Sequence, residues 1–412
     1  MPEAVRPDRS LFISSLCLSY RYSLTAEIFA GFPITTISGF PIIAGFPQDL
    51  ICPAGPALFP GAVSQESTSM QFGIELVPNE PVFRMASYIK LAEDNGFTHA
   101  WITDHYNNRE LYSTLSVLCL ATGRIRIGAG VTNPYTRSVA VTASGICSID
   151  ELSGGRAMLG IGPGDKATFD ALGISREKPL ERIRETVDVL RGFMTGRSVT
   201  YEGSQVKISG AGLSFRPAGA GRIPVYIGAQ GPKMLELAGM IGDGVLINGS
   251  HPSDFSSAVP LIRKGIDSRD ARDDGNSTGA GSAEDFDIAA YTCFSIDKNP
   301  EKARAAAVPV VAFIAAGAPD ALLEKHGITA SEKDAVAAYL REGRFGDLKD
   351  VVTDRMIDVF AVAGDRDACL ARVCELEDCG VTRIIAGSPI GPDKEKSIKL
   401  IGDIIRSYGQ TP

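Results

Sequence analysis

Phe72-Gly-Ile-Glu-Leu-Val77 decides how the chain is read. In an extended segment, Phe72, Ile74 and Leu76 share one face, and Gly73, Glu75 and Val77 share the other. The next residues, Pro81–Asn95, have helical apolar spacing and stop at Gly96, a residue type that closes helices. A short apolar strand followed by an amphipathic helix is the unit of an α/β fold. The bulky face of Phe72–Val77 suits packing against such a helix layer, which turns Glu75 inward.

The unit repeats along the chain. His99–Thr103 reads as a strand and Arg109–Thr122 as its helix, Arg126–Val131 and Ser138–Leu152 as the next pair, and Ala157–Ile161 as a fourth strand. Leu180–Met194 reads as helix, followed by a β-like excursion over Val199–Ile208. Strand readings continue at Pro224–Ile227, Gly244–Ile247, Phe286–Phe294 and Arg383–Ile385, with helices at Pro232–Met240 and Lys394–Ser407 and several more between Glu301 and Cys379. Asp267–Glu284, rich in Asp, Gly and Ser, reads as an exposed loop. Apolar strands alternating with helices fit a parallel sheet covered on both faces, and eight of them fit a (β/α)8 TIM barrel. A doubly wound sheet is the alternative. Gly160-Ile-Gly-Pro-Gly164 lacks the GxGxxG spacing and follows the fourth strand rather than the first, so a dinucleotide fold is poorly supported.

The loops after barrel strands carry the chemistry. Here they read Pro78-Asn79-Glu80; Asp104 to Arg109; Thr132-Asn133-Pro134-Tyr135; Gly162-Pro163-Gly164-Asp165-Lys166; Gly228-Ala229-Gln230-Gly231-Pro232-Lys233; Asn248 to His251; and Gly387-Ser388-Pro389. Together they form a polar, glycine-rich rim suited to a large polar ligand. In the fifth, Gly228 and Gly231 allow close backbone approach and Pro232 suits the first helical position. The free N–H groups of that helix start and Lys233 attract an anion such as phosphate. Gly162 to Asp165 could act similarly or be a tight turn. Asp104 and His105 could contact ligand or only bond within their loop. Glu75 is sharper: a buried carboxylate must be paired, protonated or solvated by a ligand pocket, so it is either a functional acid or half of a structural ion pair.

Residues 1–69 are different. The first 70 residues hold 3 basic and 5 acidic side chains and no lysine, and Gly-Phe-Pro recurs at Gly31, Gly39 and Gly45. Repeated Pro and Gly disfavour helix and central strand. The stretch reads as a poorly ordered or mis-started extension, with Met70 as the natural start and 70–412 as one catalytic domain. Arg6 and Arg9 before Leu11–Leu18 only loosely suggest a signal peptide, since Ser14 and Ser15 interrupt the apolar run.

The chain has 412 residues and a net charge of −8, which argues against nucleic acid as the main partner. No run reaches the roughly 20 apolar residues of a membrane helix. Eight scattered cysteines without a CxxC pair read as cytoplasmic thiols. Cys369, Cys374 and Cys379 do not share a helical face, so no metal site is expected.

Several blocks are familiar: Phe72-Gly-Ile-Glu-Leu-Val-Pro-Asn-Glu80, Trp101-Ile-Thr-Asp-His-Tyr-Asn-Asn-Arg109, Gly130-Val-Thr-Asn-Pro134, Asp150-Glu-Leu-Ser-Gly-Gly-Arg156, Gly160 to Gly173, Gly228-Ala-Gln-Gly-Pro-Lys233 and Ala386-Gly-Ser-Pro-Ile-Gly-Pro-Asp-Lys394. With them, residues 71–405 closely resemble the archaeal coenzyme F420-dependent 5,10-methylenetetrahydromethanopterin reductases, in the bacterial-luciferase-like barrel superfamily. The resemblance implies hydride transfer between reduced coenzyme F420, a deazaflavin, and the one-carbon unit of tetrahydromethanopterin. It implies a non-proline cis peptide at Gly130-Val131 beneath the deazaflavin ring, Glu75 as proton donor, and a soluble cytoplasmic homo-oligomer. The coenzyme residues it implies are Asp104, His105, Gly130, Val131, Thr132, Asn133, Gly162, Gly164, Gly228, Ala229, Gln230, Gly231 and Lys233. Other luciferase-like dehydrogenases and monooxygenases, dependent on F420 or FMN, are the alternative.

Overall fold

The structure is a computed structural model that describes residues 34–37, 40–43, 70–218, 223–269 and 281–409. It divides into two units, Met1–Gln65 and Glu66–Pro412. In the first, Ile34–Ile37 pairs antiparallel with Phe40–Ile43, Pro41 standing opposite Thr36. The Pro- and Gly-rich stretch was expected to be without regular structure. A two-stranded ribbon has only edge strands, where proline is tolerated. The rest of the expectation for 1–69 lies outside the described residues.

In the second unit eight parallel strands close on themselves. They are β1 (Gln71–Leu76), β2 (His99–Ile102), β3 (Arg126–Thr132), β4 (Ala157–Ile161), β5 (Val225–Gly228), β6 (Gly244–Asn248), β7 (Asp287–Ile296) and β8 (Arg383–Ile390). Each pairs with its sequence neighbour, and β8 pairs with β1, with Ile385 opposite Gly73. Closure rules out the doubly wound alternative. Eight helices ring the barrel: Val82–Asp94, Leu111–Ala121, Val139–Ser153, Pro179–Met194, Pro232–Ile241, Pro252–Asp267, Arg366–Asp378 and Lys394–Ser407, each touching the next.

The two faces of β1 behave as the pattern requires. Phe72, Ile74 and Leu76 join the main core between strands and helices. A smaller inner core fills the barrel with Trp101, Met158, Tyr226, Leu246, Ala289 and Ile385. At its lower end Arg383 pairs with Asp287 at 2.5 Å, and the Tyr226 hydroxyl donates to the same carboxylate at 3.0 Å.

Several elements depart from expectation. Helices Lys166–Leu172 and Pro252–Asp267 were not anticipated, the second because Pro260 interrupts its pattern. Within the stretch expected to be all helical, Ala361–Gly364 is a ninth strand, parallel to the upper end of β7. It anchors a helical excursion with its own core, including Val311, Met356 and Phe360. β8 runs on to Ile390, so Gly387 and Ser388 belong to a strand rather than a loop. Of the loop expected over Asp267–Glu284, residues 270–280 lie outside the described residues, and Asp267 ends a helix. Among the described residues no helix is long and apolar enough to cross a membrane.

Candidate active site

A cavity of about 920 Å³ opens at the C-terminal ends of the barrel strands. Eleven of the expected site residues line it: Asp104, His105, Val131, Thr132, Asn133, Gly164, Gly228, Ala229, Gln230, Gly231 and Lys233. The barrel geometry explains the convergence, since every strand delivers its C-terminal end to the same mouth. Gly130 and Gly162 stand directly behind the lining. A Cβ on Gly162 would lie 2.8 Å from the Val131 side chain, and one on Gly130 would lie 2.6 Å from the Tyr291 hydroxyl. These absent side chains keep the mouth open and its wall flat.

Glu75 is the third expected residue outside the cavity lining. It points into the barrel, 3% exposed, close enough to Tyr291 of the cavity lining for its charge to act on that phenol. Its Oε2 accepts the backbone N–H of Ser388 at 2.7 Å, while Oε1 has no partner among the described residues. Among the described residues no cation bonds it, so there it is not half of a structural ion pair. Lys394, which acts on it only at a distance, is bonded to Glu80. Burial pushes the Glu75 carboxyl up to about 7, against the lowering effects of the Ser388 N–H and of Lys394. The acid therefore keeps its proton below pH 7 and is poised to exchange it near neutrality.

Three other buried polar atoms of the barrel interior have no hydrogen-bond partner among the described residues. They are Trp101 Nε1, Thr103 Oγ1 and the Tyr291 hydroxyl, the last two on residues that line the cavity. Buried polar groups normally find partners. Thr103 and Tyr291 therefore bring two unpaired hydroxyls to residues of the cavity wall, while the Trp101 indole stays in the inner core. Pattern reasoning passed over Tyr291 and Thr103. Strand alternation was the signal available, because Tyr291 shares its inward parity with Ala289, and Thr103 with Trp101.

The Gly130-Val131 peptide is trans, so the expected cis bond is not found; among the described residues the cis bond is Ser388-Pro389. β3 is nevertheless irregular there, slipping its register against β4 between Ala129 and Thr132. Asp104 lines the cavity but is also engaged in its wall. Its Oδ2 accepts from Thr132 Oγ1 at 2.7 Å and pairs with Arg137, which also reaches Glu110 at 3.2 Å. Asn133 Oδ1 is occupied by the N–H groups of Tyr135 and Thr136 at 3.0 Å. Both residues shape the wall rather than offer those oxygens to a ligand.

At one edge of the cavity the helix Pro232–Ile241 begins with Gly231 as its cap, Pro232 first, and no side chain capping it. Pro232 has no N–H, and the N–H groups of Met234 and Leu235 bond the Gly231 carbonyl at 3.0 and 2.9 Å, so what this helix start offers an anion is its dipole, the exposed Lys233 and Arg176 in the same lining. This is a ready anion site. Among the described residues no group of three His, Cys, Asp or Glu could hold a metal ion.

A closed parallel barrel whose strand ends open on a glycine-walled cavity is the architecture of the luciferase-like enzymes. The profile of the family described as luciferase-like monooxygenase matches residues 58–383. A 5,10-methylenetetrahydromethanopterin reductase of Methanolobus tindarius is 54% identical over 334 residues, 81% of this chain and 98% of that protein. The enzyme of that name from Archaeoglobus fulgidus is 52% identical over 81% of this chain and 98% of its own length. The solved coenzyme F420 dependent tetrahydromethanopterin reductase of Methanopyrus kandleri superposes with a TM-score of 0.77 at 44% identity, covering 82% of this chain and 99% of that one. The chain belongs to the 5,10-methylenetetrahydromethanopterin reductase family.

Proposed function

We propose that this chain transfers hydride between coenzyme F420 and a tetrahydromethanopterin-type carrier, reversibly interconverting its 5,10-methylene and 5-methyl forms. The observation that carries the reading is a buried Glu75, its carboxyl raised to about 7, close to a cavity whose wall residues carry unpaired hydroxyls, in a chain of this family. The cavity suits the coenzyme on its own features: glycines flatten the wall at Gly130, Gly162 and Gly228, and the positive end of the helix dipole with Lys233 and Arg176 suits the phosphate. When bound, coenzyme F420 supplies the hydride and nothing else is asked of it.

The chain's own residues do the remainder. Gly228 to Lys233 hold the phosphate, and Gly130 with Val131 bears the ring system. The methylene unit bridges two pterin nitrogens, and one carbon–nitrogen bond must open before hydride can be accepted. Protonating the departing nitrogen assists that opening, and Glu75 is the source of the proton. Its dry surroundings raise the carboxyl to about 7, so a protonated fraction persists near neutral pH, where a general acid of matched strength works best. The scattered thiols support a cytoplasmic location. Leu120, Val141 and Leu152, 66%, 57% and 46% exposed on neighbouring helices, support a homo-oligomer.

The test is anaerobic absorbance spectroscopy with coenzyme F420 and the methyl or methylene carrier. Reversible bleaching and recovery of the deazaflavin band is expected. No change with either carrier, or oxygen uptake with reduced FMN, would refute the reading and favour a monooxygenase or another dehydrogenase.

A further inference from the structure

The reaction brings two ligands together, but the cavity, about 920 Å³, lies at the upper end of the roughly 300–1,000 Å³ that a single ligand fills. Hydride transfer needs only the pterin head of the carrier against the coenzyme ring. The remainder of the carrier must therefore lie on the surface beyond the rim. One stretch of that rim comes from the helical excursion after β7, where Gly317 and Pro319 line the cavity. Gly317 ends the helix Pro300–Gly317, and a Cβ there would meet nothing within 4 Å. Pro309, Phe313 and Gly317 are exposed at intervals of four, so they form one row along this helix. The row that reaches the cavity at Gly317 thus carries the Phe313 ring one turn, about 5.4 Å, further out.

Phe313 is 59% exposed, and Phe345, which opens the short helix Phe345–Asp350, is 55% exposed. Their rings stand 6.3 Å apart at an angle of 30°. Neither belongs to the core of the excursion or to that of the barrel. Gly343 and Gly346, beside Phe345, have open space where side chains would stand, so nothing overhangs the pair from there. A single exposed apolar side chain is ordinary, but an adjoining pair in water marks a contact surface. We propose that Phe313 and Phe345 are a ledge for the part of the carrier that leaves the cavity, and that this part is a flat, apolar stem following the pterin head. Planar groups stack on phenyl rings, whereas a charged chain gains little from them. The coenzyme is drawn elsewhere, since its phosphate suits Lys233 and Arg176, while Arg344 next to the ledge is bound to Asp347 at 3.1 Å and lies over the Tyr339 ring. The ledge adds affinity for the whole carrier without touching the reacting atoms. The occupant rests on the reductase reading.

Fluorine resonances test contact apart from turnover. With 4-fluorophenylalanine at position 313 or 345 of the full chain, loaded with coenzyme F420, the resonance should move on adding 5-methyltetrahydromethanopterin. It should stay in place with 6-methyltetrahydropterin, which has the head and no stem. F313A and F345A remove exposed side chains and should fold. Each should raise KM for the methylene carrier by about two- to tenfold, with the loss on KM rather than kcat, and F313Y should restore it. Affinity for 6-methyltetrahydropterin should be the same in all of them. A resonance that ignores the methyl carrier, or wild-type KM in the double variant F313A/F345A, would overturn the ledge. So would a resonance that moves with protein concentration in step with the sedimentation mass, because a second copy of the chain would then cover it. Wild type that shows the carrier-induced shift but never transfers hydride would overturn the reductase reading and leave the ledge standing; turnover without the shift would do the reverse.

Discussion

Replacing Glu75 by glutamine should make the protein more stable and less active, and the stability gain should depend on pH in a defined direction. The folded carboxyl is raised from 4.5 to about 7. Between those values the folded protein keeps a proton that the unfolded chain has released, so stability falls as pH rises through that window. Above it the native state carries an ionised carboxylate in a dry interior, at a cost of about 3 kcal/mol, using about 1.4 kcal/mol per pH unit. Glutamine has no such cost. Its carbonyl can accept the Ser388 N–H, and its amide group replaces an acid O–H that also lacks a partner. Urea unfolding of ligand-free E75Q and wild type should therefore agree below about pH 4.5 and differ by up to about 3 kcal/mol at pH 8 in favour of E75Q. Carrier reduction by the same variant should fall by about 10²- to 10⁴-fold, the range for losing a general acid. A pH-independent stability difference, or an E75Q protein less stable than wild type at pH 8, would show that the carboxylate is compensated in the barrel and that its raised value is wrong.

Glu93 should show the opposite sign. It is 4% exposed and accepts the N–H groups of Gly123, Arg124 and Ile125 at 2.6–2.9 Å, with Lys90 at 3.1 Å; these bonds outweigh burial and hold its carboxyl down at about 2. Its contribution is complete above pH 4.5 and is lost as pH falls through about 2, so E93Q should cost roughly 2–3 kcal/mol at pH 7 and progressively less in acid, as read by unfolding at several pH values. G130A should push its new methyl into the Tyr291 hydroxyl and the Ile102 carbonyl, 2.6 and 3.2 Å away. The expected cost is about 1–3 kcal/mol of stability. Coenzyme affinity, read by fluorescence titration, should weaken as well, and unchanged affinity would remove Gly130 from the ring's seat.

What the sequence disclosed and what it withheld divide along a physical line. Strand alternation placed Glu75 inward because a one-residue error would have turned Phe72, Ile74 and Leu76 into the barrel. The loop residues converged because closing the sheet leaves no other destination for strand ends. Partnership across the barrel was not legible. Nothing in the spacing of Asp104 and Arg137 says that they neutralise each other, or that Ser388, 313 residues beyond Glu75, would be its hydrogen-bond donor. Ser388 was read as loop, yet β8 continues through it, and that extension fixes one carboxyl oxygen while leaving the other free. Tyr291 was unreadable for a related reason. A tyrosine inside an apolar strand looks like core, and here its ring does pack against core residues. Only the closed geometry shows that its hydroxyl crosses the barrel to a glycine, where a larger residue would leave no space for it. The acid and its surroundings are thus products of closure: one residue from β1, one backbone N–H from β8, one phenol from β7 and one missing side chain on β3.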